Sequence, residues 1–158
     1  MQTTISVLII GSGATAITDA WALARRRLFA VPLPDWGLVG RWVAHLFRGR
    51  LWHQNISRTA GVRGERALGW ATHYFVGIVF AALIPALWGE QWLREPRLLP
   101  AMLVGVISVA APFFIMQPAM GAGIAASRTP RPWIARLQSL ATHAVFGLGL
   151  FVSAWISR

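Results

Sequence analysis

The chain has 158 residues, of which 56% are hydrophobic and 13% charged, with no cysteine and a net charge of +10 carried on the basic side by arginine alone. The missing cysteine excludes a disulfide framework, a thiolate metal site and a catalytic thiol. The charge by itself would suit a nucleic-acid binder, but the arginines stand between apolar runs of about 20 residues, the length of a membrane helix, so the partner they point to is a lipid bilayer and not nucleic acid.

Four segments have that length and apolarity: 4–24, 68–88, 98–117 and 137–156. The first contains Gly11-Ser12-Gly13-Ala14-Thr15-Ala16 after an apolar run, with Asp35 farther on. That pattern imitates a dinucleotide-binding turn. No strand–helix alternation follows it, so Gly11 and Gly13 read as small residues for close helix packing. Ala22-Leu23-Ala24 resembles a signal cleavage site. The start of the chain has no basic segment and the apolar stretch is long, which favours a retained span.

The first connection, 25–67, holds nine arginines: Arg25, Arg26, Arg27, Arg41, Arg48, Arg50, Arg58, Arg63 and Arg66. Pro32 and Pro34 separate it from span one. Asp35 is a candidate N-cap, and Trp36, Val39, Val43, Leu46 and Phe47 recur at helical spacing. Residues 35–47 are therefore expected to form a cytoplasmic amphipathic helix on the membrane surface. Arg25, Arg26, Arg27, Arg41 and Arg48 are the expected contacts to anionic lipid headgroups. His45 and His53 are read as interfacial residues and weak metal candidates.

Span two contains His73. The connection after it balances Arg94 and Arg97 with Glu90 and Glu95. Span three ends in Pro112-Phe113-Phe114-Ile115-Met116-Gln117-Pro118, and Gly121 and Gly123 follow. Pro112 should kink the span; Pro112, Pro118, Gly121 and Gly123 form the expected hinge. The third connection carries Arg128, Arg131 and Arg136, span four carries His143, and the tail carries Arg158. By the positive-inside rule, connections one and three are cytoplasmic and both termini periplasmic.

Two stretches repeat, 57–88 and 127–158. Ser57-Arg58-Thr59 recurs as Ser127-Arg128-Thr129, Arg66 as Arg136, Ala71-Thr72-His73 as Ala141-Thr142-His143, and Gly77 as Gly147. The expected fold is all-α: a four-helix membrane bundle of two parallel-repeat hairpins plus the cytoplasmic amphipathic segment, in one domain, 1–158.

Each span contributes one strongly polar side chain: Asp19, His73, Gln117 and His143. Ionisable groups at membrane depth are expensive and usually face a partner or a cavity. Three readings compete. In the first the four only fix packing, as in a non-catalytic scaffold or accessory subunit; in the second they pass protons or a small solute; in the third His73 and His143 ligate a haem iron or another metal. Transport is taken as the working hypothesis. No set of nucleophile, base and orienting group is visible, so enzyme activity is not favoured. Self-association into a homo-oligomer stays open.

Gly40-Arg41-Trp42, the run 65–74 and the run 116–130 together resemble a family of small bacterial inner-membrane proteins defined only as a domain of unknown function. The resemblance covers nearly the whole chain. It implies a bacterial source and an inner-membrane location, and brings no activity, substrate or site residues.

Overall fold

The structure is a computed structural model that describes residues 2–158; Met1 lies outside them. It is all-helical, with no strand among the described residues. Four helices are long and apolar enough to cross a membrane: Gln2–Phe29, Glu65–Trp88, Leu98–Ala119 and Pro132–Ser157. They match the four expected segments, and each begins or ends beyond its apolar run because helical hydrogen bonding continues into the flanking residues.

Helix α1 (Gln2–Phe29) runs through the arginine cluster and places Arg26 and Arg27 in its last turn, where cations complement the exposed carbonyl ends. It stops at Ala30, whose φ is 52°. Helix α2 (Trp36–Leu46) begins at Asp35, whose Oδ1 accepts a hydrogen bond from the Gly37 N–H at 2.9 Å. Helices α3 (Glu65–Trp88) and α4 (Gln91–Arg94) follow. Span three comprises α5 (Leu98–Ile107), a π-helical turn over Pro112–Met116, and α6 (Gln117–Ala119). Proline cannot donate to the carbonyl four residues earlier, and the chain accommodates it by widening the turn, a device that recurs at functional sites. Helix α7 (Pro132–Ser157) ends the chain.

The chain divides into two compact units. The first contains the residues up to Leu33, Tyr74–Ser108 and Leu140–Arg158. Its core is apolar, with Ile10, Ile84 and Leu150 among its fully buried side chains. Gly11 packs on the Ile78 backbone and Gly13 on the Ser153 side chain, both from within α1. The glycine pattern of span one is thus a helix-packing device and not a phosphate-binding turn.

The second unit contains Pro34–His73 and Val109–Ser139. Here α2 crosses the start of α3 backbone to backbone: a Cβ on Gly40 would overlap the Glu65 carbonyl, and one on Gly69 would overlap that of Trp36. One face of α2 is therefore covered by protein. The end of α6 and the residues after it form a cap. Its Ala119 and Met120 carbonyls accept from the N–H groups of His53 (2.8 Å) and Ile56 (3.1 Å).

Candidate functional site

The four polar side chains singled out in the spans divide between the units: Asp19 and His143 in the first, His73 and Gln117 in the second.

In the first unit, His143 Nδ1 lies 2.7 Å from Ser108 Oγ, and Ser108 Oγ donates to the Gly105 carbonyl at 2.6 Å. A hydroxyl has one proton and a carbonyl can only accept. The Ser108 proton therefore goes to Gly105, and His143 Nδ1 must carry hydrogen and donate to Ser108. In the neutral ring this leaves Nε2 as the basic nitrogen. One turn later, a Cβ on Gly105 would overlap the Gly147 backbone. Gly147 itself packs on the backbone of Ala101 and Met102 in α5.

Asp19 Oδ2, on α1, accepts a hydrogen bond from Tyr74 Oη at 3.1 Å. Tyr74 is the only tyrosine in the chain. Neither Tyr74 nor Ser108 stands out from the sequence as a site residue. The available signals were a lone phenol next to His73 and a lone serine in the middle of span three.

In the second unit, the His73 ring stacks on Trp36 with centroids 3.8 Å apart and planes 23° apart. Trp70 meets the same histidine edge-on at 6.0 Å. The tryptophan comes from α2, so the amphipathic helix reaches the histidine of span two through its packed face. Gln117, directly after the π turn, has a buried Oε1 with no hydrogen-bond partner.

The other assigned residues fare differently. Arg41, expected at lipid headgroups, is held by protein. Its Nε and Nη2 bond Glu65 Oε2 and Oε1 at 2.8 and 2.7 Å, and its Nη1 donates to the Thr59 carbonyl at 2.9 Å. The Glu65 hydrogen bonds push the guanidinium above its ordinary pKa. The physical reason for the difference is Glu65 at the start of α3, which offers a carboxylate fork that a headgroup would otherwise provide. Arg26, Arg27 and Arg48 are exposed, and Arg25 lies over the Trp21 ring at 5.8 Å. At the expected hinge, Gly121 and Gly123 have φ of +94° and +76°. Gly121 is pressed against the Gln54 backbone. The stretch after span three is therefore a packed turn, and the irregular helix at Pro112 lies before it.

Among the described residues no three His, Cys, Asp or Glu side chains are grouped to hold a metal. A cleft of about 380 Å³ in the first unit is lined by Thr3, Thr4, Val7, Ala82, Pro85, Ala86 and Glu90. Thr3 Oγ1 donates to Glu90 Oε1 across 2.9 Å there.

Compared with known proteins, the family model described as "Protein of unknown function (DUF2938)" matches residues 8–157. No curated protein and no solved structure matches the chain.

Proposed function

The chain belongs to the DUF2938 family, whose description assigns no activity, and from that premise we propose that it is a small transporter, or a proton- or solute-conducting protein, of the bacterial inner membrane. Connections one and three lie in the cytoplasm, and both termini are periplasmic. Spans two and four derive from one repeated unit. Exposed arginines such as Arg26, Arg27 and Arg48 contact acidic headgroups.

The observation that carries this reading is the Ser108–His143 hydrogen bond. It orients the imidazole of span four as the Nδ1–H tautomer and leaves Nε2 as its basic nitrogen. A scaffold needs only satisfied packing; it has no need for a histidine with a defined basic nitrogen at that depth. The Asp19–Tyr74 pair supplies a second exchangeable proton. The widened turn at Pro112–Met116 supplies local freedom next to Gln117.

The test is proton flux in proteoliposomes containing a trapped pH dye, with a valinomycin-clamped potential. His143→Ala and His73→Ala should lose flux while retaining helical content and membrane insertion. Flux equal to wild type in both folded variants, or none in the wild type above empty vesicles, would reject transport in favour of the scaffold role.

A further inference from the structure

His45 and His53 lie outside the intramembrane group and are used by nothing described above. Both are more than nine-tenths buried, at 7% and 8% exposure. Their rings meet edge-on, with centroids 5.2 Å apart and planes 66° apart. Both ring nitrogens of His53 are buried and have no hydrogen-bond partner. His45 Nε2 has only a 3.3 Å contact to the Ala60 carbonyl. A neutral imidazole always presents one donor and one acceptor. Burying both unsatisfied costs on the order of 1–3 kcal/mol each, so a buried ring of this kind calls for a partner.

The spacing identifies a partner that would satisfy both rings at once. Two imidazoles on one tetrahedral ion, with nitrogen–metal bonds of about 2 Å, have ring centroids about 5 Å apart. The observed centroid separation of 5.2 Å matches that spacing. We propose that His45 and His53 bind a divalent transition-metal ion of the zinc class, the chemistry that neutral imidazole ligands suit.

The surroundings are compatible with a cation. Arg41, one turn before His45 on α2, has its charge offset by the bidentate contact with Glu65. The backbone positions both rings independently of a metal. His45 lies in the last turn of α2, and the His53 N–H is anchored to the Ala119 carbonyl. No third His, Cys, Asp or Glu joins the pair among the described residues. Water and a carbonyl such as that of Ala60 therefore complete the coordination. Such a site is open and exchangeable, unlike a closed four-ligand structural site. The ion would tie the end of α2 to the segment lying under the cap.

The experiment uses the full chain in detergent, with any polyhistidine tag removed, titrated with Zn²⁺ by calorimetry and with Co²⁺ by visible absorbance. Wild type and His73→Gln should bind one equivalent. His45→Gln and His53→Gln should each lose at least about ten-fold in affinity, the scale of removing a ligand or its support. Absence of saturable binding in the wild type, or wild-type affinity in either of those two variants, overturns the site. If a variant does not fold, X-ray absorption of the Zn²⁺-loaded wild type decides the matter. Two imidazole nitrogens at about 2 Å from the zinc support the site; a first shell of oxygen alone refutes the proposal. None of these readouts depends on proton flux, so this site and the transport reading succeed or fail separately.

Discussion

Ser108 Oγ joins His143 Nδ1 at 2.7 Å while donating to the carbonyl of Gly105 at 2.6 Å, so one hydroxyl both accepts and donates within the contact between α5 and α7. Ser108 is buried, at 3% exposure. Ser108→Ala would remove one acceptor from the His143 imidazole, which keeps its hydrogen bond to the Gly105 backbone. Hydrogen bonds between membrane helices average about 0.6 kcal/mol. The expected loss is therefore about 0.6 kcal/mol, read as a lower unfolding midpoint in detergent. Under the transport hypothesis the larger effect is on flux, because the ring loses its fixed tautomer. Nitrogen NMR of labelled histidine should show the Nδ1–H form in the wild type and a mixture in the variant. A mixture in both would remove the tautomer argument.

Gly105→Ala tests the packing beside the same histidine. Helix propensity alone favours alanine over glycine by about 1 kcal/mol. Against it, the new methyl would overlap the Gly147 backbone, and backbone cannot swing aside as a side chain can. Overpacking of this kind costs roughly 1–3 kcal/mol, so overlap wins and the variant should melt lower than wild type. A higher melting point would mean that α5 and α7 are not in contact here.

The four spans, the capped helix at Asp35 and the small-residue faces were legible in the sequence because length, apolarity and capping are local properties. The partners were not. Nothing in the order of residues sets Tyr74 against Asp19 or Ser108 against His143, since those pairings depend on how the helices rotate about their axes. The Glu65 partner of Arg41 was hidden for a related reason. The basic character of Arg41 is local, but Glu65 stands 24 positions away and reaches it only because Gly40 and Gly69 allow the two helices to touch. His45 and His53 read as interfacial because a polar loop conceals how deeply a cap can bury it.

Arg41 and Glu65 invite a double-mutant cycle. The guanidinium–carboxylate fork is largely shielded, with side-chain exposures of 15% and 22%. Glu65 Oε2 also accepts from the Val62 N–H at 2.8 Å, so Arg41→Ala leaves the carboxylate partly satisfied. Partial solvent access weakens the pair. The coupling energy should be about 1 kcal/mol, the middle of the range for residues in one network. Arg41→Lys keeps the charge but cannot reproduce the fork, and should recover less than half of it. A coupling energy near zero would return Arg41 to the lipid surface.

The orientation can be read directly because the chain has no cysteine, so one introduced thiol is the only one present. Ala60 and Gln91 are exposed, in the first and second connections respectively. Replacing either with cysteine leaves the arginine count unchanged, which matters because that count sets the topology. With nine arginines in the first connection and two in the second, offset there by Glu90 and Glu95, Gln91→Cys should react with a membrane-impermeant maleimide in intact spheroplasts. Ala60→Cys should react only after the membrane is permeabilised. The opposite pattern would invert the protein and place the metal site proposed at His45 and His53 on the periplasmic side. Labelling of both in sealed cells would mean that span two does not cross.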